Sequence, residues 1–308
     1  MTNYQMKLLR DIRFWRIAIQ VLAVLVAIIV VAILWSNLSG NLQQLGIQLG
    51  FNFLGSQASF DIGETLISYQ PSDTYARALQ VGLLNSLRVM VAGIILTTIV
   101  GITAGIARLS DNWLVRKLAL VYVETFRNTP LLLQLLFWYF AVFLSLPKVE
   151  DKISLFGLIY LSQNGLELPG VKFSPELAAL LVGVTIYTGA FIAEIVRGGI
   201  QSVPRGQWEA AKALGFKSGL AMRLIIFPQA LRVIVPPLTS QYLNLAKNSS
   251  LAIAVGYPDL YFVASTTFNQ TGRAVEVMLL LMVTYLAISL TIALLMNLLN
   301  RTVQLKER

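Results

Sequence analysis

The sequence predicts an all-α membrane protein of about six transmembrane helices, and three observations carry the prediction. Of the 308 residues, 56% are hydrophobic and only 13% charged, whereas a soluble domain carries about 25% charged residues to cover its surface. Mean hydropathy is +0.70, and the apolar residues gather into runs of the ~20 that a helix needs to cross ~30 Å of hydrocarbon at about 1.5 Å per residue. Lysine and arginine, finally, concentrate on alternate sides of those runs, as in the loops of a multi-pass chain.

The first run, Ile17 to Trp35, is almost unbroken, with Gln20 its only strongly polar member. It exceeds the roughly 7–15 apolar residues of a cleavable signal, and Trp35-Ser36-Asn37-Leu38 supplies no small-residue cleavage site, so an uncleaved anchor is expected. Leu79 to Ala107, Leu118 to Leu144, Leu177 to Ile200 and Val275 to Leu299 are each long enough to span even when tilted. Val233 to Gly256 is diluted by Pro236, Pro237, Gln241, Asn244 and the run Lys247 to Ser250. Such polarity at membrane depth is tolerated where a helix is buried among others or lines a cavity, which makes this the sixth span.

With the N-terminus inside, the cytoplasmic ends collect Lys7, Arg10, Arg13, Arg16, Arg108, Arg116, Lys117, Arg197, Arg205, Lys212, Lys217, Arg223, Arg232, Arg301, Lys306 and Arg308. The outer loops keep only Arg77, Lys148, Lys152, Lys172 and Arg273. An odd number of spans would carry the basic C-terminus out, so both termini are expected in the cytoplasm. The net charge of +9 is thereby spread as topology instead of being gathered into one basic module with stacking aromatics. Membrane lipid is the implied partner, and nucleic acid is excluded. Cysteine and histidine are both absent, which removes disulfides, thiol nucleophiles, the usual zinc sites and imidazole acid–base chemistry.

Two outer connections, 36–74 and 145–174, are longer than hairpins. The first mixes Gly40, Gly46, Gly50, Gly55 and Gly63 with Phe51, Phe53 and Phe60 and reads as an insertion or lid; the second carries Pro147, Pro169 and Gly170. No repeat, low-complexity tract or soluble domain boundary is visible.

The inner connection from Gln201 to Arg232 is the most informative stretch. Pro204 ends the preceding helix, Trp208 to Leu214 are strong helix formers, and Gly215 stands where a left-handed cap is wanted. A second short helix is expected from Ser218, as N-cap, to Phe227 before Pro228. The small side chains of Ala210 and Ala211 suit close approach to a partner, with Glu209 and Lys212 beside them for charge pairing. Residue chemistry alone leaves two readings open, a docking element and an amphipathic connector lying on the headgroups.

The spacing Glu209-Ala210-Ala211, three residues, Gly215, nine residues, Ile225, one residue, Phe227-Pro228 resembles the EAA signature of permease subunits in ATP-driven bacterial importers, with Phe227 in place of the usual leucine. The run Glu124-Thr125-Phe126-Arg127-Asn128-Thr129-Pro130-Leu131-Leu132-Leu133-Gln134 is similar to the E-x-F-R-x-T-P-L-L-x-Q of the polar amino-acid branch, as are 194–204 and 228–232. Lys247-Asn248-Ser249-Ser250-Leu251 resembles K-D-T-S-L, with Asn248 replacing the acid. The resemblance covers about Leu79 to Leu299, and the long N-terminal region is similar to the general and acidic amino-acid permease subgroup.

The resemblance implies a type I ABC importer permease fold with an N-terminal extra helix and a cytoplasmic coupling helix, in the bacterial inner membrane. It divides the chain into an N-terminal transmembrane anchor plus periplasmic loop (1–74), a permease core (75–303, coupling loop about 201–232) and a cytoplasmic tail (304–308). It implies that Glu209, Ala210, Ala211, Lys212, Gly215, Ile225 and Pro228 couple to the ATPase. The implied partners are two copies of an ABC ATPase subunit, a second, homologous permease subunit and a periplasmic amino-acid-binding protein. The chain itself is then no enzyme and needs no cofactor, with ATP and magnesium held by the ATPase subunits.

A zwitterionic amino acid at membrane depth needs donors or a cation for its carboxylate and acceptors or an anion for its ammonium, since an unpaired charge in low dielectric costs several kcal/mol. Arg127, Asn128 and Thr129, with Glu124, offer such groups directly before Pro130. About nine residues into a straight helix, Arg127 would lie ~13 Å deep, near the midplane where transporter sites are found. Lys247, Asn248, Ser249 and Ser250 are the second candidate cluster. The structural alternative pairs Glu124 with Arg127 along one helix face, and Glu194 with Arg197 at the same spacing. Gly101 and Gly105 form a small-residue face that suits either a seam with a second permease or packing within the subunit.

Two other classes make their own demands on the sequence. An ion-coupled secondary transporter would carry its own coupling site and usually internal repeats, neither of which is visible. An intramembrane hydrolase could use only a Ser250/Lys247 dyad, a spacing that arises readily by chance.

Overall fold

A computed structural model describes residues 12–44, 50–155 and 157–304; Lys7, Arg10, Lys306 and Arg308, counted above as cytoplasmic, lie outside them. The chain divides, between Phe51 and Asn52, into two compact units. In the first, α1 (Ile12–Gln44) is long and apolar enough to cross a membrane, and its side chains from Ile19 to Leu34 are all exposed. A helix surrounded by lipid has this character.

The second unit is built on α2 (Tyr75–Ala107), α3 (Trp113–Arg127), α4 (Leu131–Leu136), α5 (Pro175–Gln201), α6 (Arg205–Ala213), α7 (Ser218–Ala221), α8 (Phe227–Asn248), α9 (Leu260–Thr271) and α10 (Ala274–Val303). Capping side chains set the starts. Thr74 accepts from the Arg77 amide, Asn112 from those of Leu114 and Val115, and Ser174 from that of Leu177 with Pro175 in the first turn; each satisfies an amide the helix leaves open. Among the described residues five helices are long and apolar enough to cross a membrane, or six if the bent pair α3 and α4 counts as one span. The expected span Val233 to Gly256 is helical up to Val255, as part of a continuous stretch, Ser218–Val255. Its interior carries Ile234, Val235, Leu238, Leu245 and Ala252 buried among the other helices, which is how its polar residues are accommodated.

The centre is the contact of α2 with α5. Gly93 faces Val184 and Leu245, Gly101 faces Ile192 and the Gly189 carbonyl, and Gly105 faces Val196 and the Ala193 carbonyl. The small-residue face thus packs within the subunit, which decides between the two readings of Gly101 and Gly105.

Residues 52–74, grouped by sequence with the N-terminal anchor, pack on the ends of α2 and α9 through Ala58, Ile62, Tyr75, Ala78 and Val263. Glu64 holds them there: its carboxylate pairs with Arg88 and accepts from Ser174 Oγ at 2.6 Å, and its carbonyl accepts from Asn85 Nδ2 at 2.8 Å. The other outer connection folds into an antiparallel meander, β1 (Ile153–Leu155), β2 (Ile159–Ser162), β3 (Gly165–Leu168) and β4 (Val171–Phe173), which the all-α reading lacked. Leu168 pairs with Val171 across Pro169-Gly170, and Gly170 has φ +80°, the left-handed position that a Pro-Gly turn supplies.

Asp259 caps α9, accepting from the Phe262 amide at 2.8 Å. Burial pushes its carboxyl from an ordinary 3.8 up to about 7, against the lowering effect of the Phe262 and Tyr261 amides. A raised carboxyl contributes stability in full below its unfolded value, and that contribution is lost as pH rises through the folded one. Thermal stability in detergent is therefore expected to fall between about pH 4 and about pH 8, and Asp259→Asn to flatten that slope. An unchanged slope in the variant would place the titrating group elsewhere.

Candidate functional site

The loop around Glu209 is held from beneath and open above. Trp208, half-buried, packs with Val203, Ile226, Ala230 and Ile234 in the core between α5 and α8, which fixes α6 against the bundle. Its other side presents Glu209, Ala210, Lys212 and Leu214, all exposed. Ala211, read from the sequence as part of that surface, is only 1% exposed. It faces inward, and its carbonyl accepts from the Phe216 amide at 3.0 Å while the Gly215 amide donates to the Lys212 carbonyl at 2.9 Å. This paired closure requires a left-handed residue after the helix, and Gly215 has φ +79°.

The second short helix does not end before Pro228. Lys217, not Ser218, is the N-cap residue of α7, and the helix widens into a π-turn over Met222–Ile226 before continuing as α8. The Phe227 amide there reaches back five residues, to the Met222 carbonyl. A widened turn relieves the clash that a proline ring makes with a regular helix. Gln229 Nε2 donates to the Ile225 carbonyl at 2.9 Å and to Gln207 Oε1 at 3.1 Å. The loop helix is therefore joined by an exposed side-chain hydrogen bond to the start of the fifth span.

The third span differs from its expectation. Trp113–Arg127 and Leu131–Ser145 meet at 106°, so the straight-helix depth assigned to Arg127 does not hold. Pro130 cannot continue the hydrogen-bond ladder of α3, and the sharp turn leaves carbonyls without helical partners. Gln134, 4% exposed, takes two of them: its Nε2 donates to Phe126 O at 3.0 Å and Thr129 O at 2.9 Å. Asn128 and Thr129 spend donors in the same way, on the carbonyls of Glu124 at 2.7 Å and Thr125 at 2.9 Å.

Glu124 and Arg127 form no ion pair; Glu124 is exposed, and Arg127 lies with its guanidinium 5.2 Å from the centre of the Phe191 ring. Both stand in the last turn of α3, where the spacing would allow a pair, but Arg127 turns to Phe191 instead. Arg127 Nε is buried without a hydrogen-bond partner. Glu194 does pair with Arg197, and also with Arg108 at 3.3 Å.

In the second candidate cluster, Ser249 is buried and donates to the Ala246 carbonyl at 2.9 Å, while Ser250 donates to the Lys247 carbonyl at 2.8 Å. A hydroxyl committed to the lysine's backbone is not poised against its amine, so no serine–lysine dyad is formed. Lys247 is exposed and Asn248 partly so. Leu131 and Leu135 of α4 share one core with Ala252 and Val255, which sets the element after the bend beside the turn that follows Ser250. The structure thus brings the two clusters onto neighbouring elements, with no hydrogen bond or ion pair between them.

Sequence reasoning passed over Glu64 and Arg88. The signal was present: Arg88 is the one charged residue between Arg77 and Arg108, and a lone charge in a span is expected to have a partner.

A family model described as the binding-protein-dependent transport system inner membrane component matches residues 97–305. The chain is 41% identical to the putative amino-acid ABC transporter permease protein YhdX of Escherichia coli K12, over 96% of this chain and 95% of that one. Identity to the general L-amino acid transport system permease protein AapQ of Rhizobium johnstonii is 38%, over 92% of each. Among solved structures, one described as an amino acid ABC transporter with histidines superposes with a TM-score of 0.59 at 28% identity, covering 74% of this chain and 95% of that one.

Proposed function

Because the chain belongs to the family of binding-protein-dependent transport system inner membrane components, we propose that it is the permease subunit through which an ATP-driven importer moves polar amino acids into the cytoplasm. The observation that carries this reading is the loop helix α6: fixed to the bundle by Trp208, open on its Glu209 side, and hydrogen-bonded through Gln207 to Gln229 at the start of a spanning helix. A partner that pushes on Glu209, Lys212 and Leu214 acts on an element joined to a span. The names of the relatives point to amino acids as the substrate class, and the distribution of basic residues favours a cytoplasmic α6 and cytoplasmic termini.

In this mechanism two ATPase subunits hold ATP and magnesium and close on nucleotide, drawing together the loop helices of this chain and of a second permease. The spans then exchange inward for outward access, and a periplasmic binding protein delivers amino acid to the cavity. Arg127 is suited to the substrate carboxylate, since its Nε lacks a partner beside the Phe191 ring; exposed Glu124 offers the acceptor that the ammonium needs, and Asn248 and Lys247 complete the site from the neighbouring element. The complete complex in liposomes is expected to hydrolyse ATP faster when amino acid and binding protein are added, and this chain alone to hydrolyse none. Uptake by this chain under an ion gradient without ATPase subunits would overturn the assignment.

Asn248→Asp would add a negative charge next to Lys247. Opposite charge attracts a cationic side chain and repels an acidic one, so the ratio of arginine to glutamate uptake is expected to rise about tenfold, equivalent to about 1.4 kcal/mol. An unchanged ratio would remove residue 248 from the selectivity of the site.

A further inference from the structure

At the end of the bundle that carries the Glu209 loop, a separate pocket of about 260 Å³ is lined by Arg108, Trp113, Arg116, Lys117, Leu120, Arg197 and Gln201. Four cations converge there and no carboxylate lines it. Glu194 neutralises one charge, pairing with both Arg197 and Arg108, while Asp111 faces the neighbouring groove. Arg116 donates to the Ser110 carbonyl at 3.0 Å, and Lys117 has no hydrogen bond or ion pair to a described residue. Both stand near the start of α3, whose first turn holds no acidic residue and whose dipole disfavours cations. Four cations less one carboxylate leave three positive charges around a space without its own counter-ion.

The surroundings say which anion fits. Trp113 is 66% exposed, and Leu114, Leu118 and Val121 form an exposed apolar stripe along α3. An exposed tryptophan above an apolar helix face marks the headgroup level of a membrane, and basic pockets between spanning helices at that level suit anionic headgroups. We propose that this pocket holds a phosphate-bearing anion, seated as the headgroup of an anionic phospholipid whose acyl chains lie along the apolar stripe of α3. The lipid joins the ends of α2 and α5 to the start of α3, three elements that also border the Glu209 loop, so lipid charge bears on the part of the protein that must move.

The test uses the complete complex in nanodiscs of phosphatidylcholine with or without phosphatidylglycerol, and native mass spectrometry counts retained lipid. Wild type is expected to retain phosphatidylglycerol, and Arg116→Gln with Lys117→Gln to bind it about 30-fold more weakly, from the loss of two basic side chains near a lipid surface. The pair Lys217→Gln with Arg223→Gln, exposed cations outside the pocket, is expected to change retention less than about twofold. Equal loss in the two pairs would reveal diffuse attraction and overturn the pocket, as would no loss in the first. Shedding of ATPase subunits by the first pair, with lipid retained, would make the patch a protein contact and equally overturn the proposal. Acylation of Lys117 supplies the second arm. Protection by phosphatidylglycerol supports the lipid, whereas protection by inorganic phosphate in phosphatidylcholine discs without lipid retention would overturn the lipid and keep the anion site. None of these readouts depends on transport, so failure here is distinguishable from failure of the permease assignment.

Discussion

Gly105→Leu is expected to leave little folded protein in the membrane. A Cβ at this position would lie 2.7 Å from both the Ala193 carbonyl oxygen and the Val196 Cβ, and one at Gly101 would lie 2.5 Å from Ile192. The obstacle at 105 is partly backbone, so no rotamer change relieves it, and α2 must move away from α5 along their length. Overpacking of a tight core costs about 1–3 kcal/mol, and displacement of two spanning helices puts Gly105→Leu at about 3 kcal/mol or above on that scale. Gly198→Ala is the matched control, since a Cβ there meets nothing within 4 Å. In a helix interior alanine is favoured over glycine by up to about 1 kcal/mol, so this variant is expected to equal or exceed the native protein. Monodispersity in size-exclusion chromatography after graded heating reads both. If Gly105→Leu survives heating as the native protein does, the close approach of α2 and α5 is not what holds the bundle.

Gly215→Val is expected to impair transport strongly with the protein still inserted and assembled. The surroundings do not forbid a side chain, for a Cβ would meet nothing within 4 Å. The backbone forbids it: φ is +79°, where a side chain costs roughly 1–2 kcal/mol and a β-branched one is a true outlier. Relief requires leaving the left-handed conformation, which breaks the bonds from Gly215 N to Lys212 O and from Phe216 N to Ala211 O. The surface formed by Glu209, Lys212 and Leu214 then no longer matches a partner. Uptake is expected to drop at least about tenfold, while Gly215→Asn, which tolerates positive φ, keeps most of it. Normal uptake by Gly215→Val in a complex of unchanged composition would remove this turn from the coupling path.

These two glycines illustrate what was legible. Gly215 could be read locally, because helix formers followed by glycine and a second start signal define a left-handed cap without knowledge of the rest of the chain. Gly105 could be read only as a small residue on one face, since the identity of the opposing helix is a long-range fact. Solvent preference behaved like the first case. Apolar runs, their lengths and the side on which arginines fall are properties of each segment alone, and they pointed to the helices seen in the structure, even the diluted one from Val233 to Gly256.

The site behaved like the second case. Pro130 announced a disturbance, but only the fold shows a turn of 106°, and only the fold assigns Gln134, Asn128 and Thr129 to the carbonyls it exposes. The same holds for Pro228, which looked like an end and lies within a helix made continuous by a π-turn. Pro169-Gly170 could have signalled the outer hairpin, but against so apolar a chain a few short strands carry little weight in composition.

From its residues alone this chain is a membrane-spanning helical protein with a left-handed cap in the loop that follows Gln201, because hydropathy, charge asymmetry and turn chemistry are local energies that need no partner. Packing settled the rest: that Ala211 faces inward, that Arg127 lies by Phe191 and not with Glu124, that Gly101 and Gly105 serve α5, and that Arg88 and Glu64 find each other. Each of those outcomes depends on which distant groups compete for the same carbonyl, charge or space, and that competition exists only once the helices have been brought together.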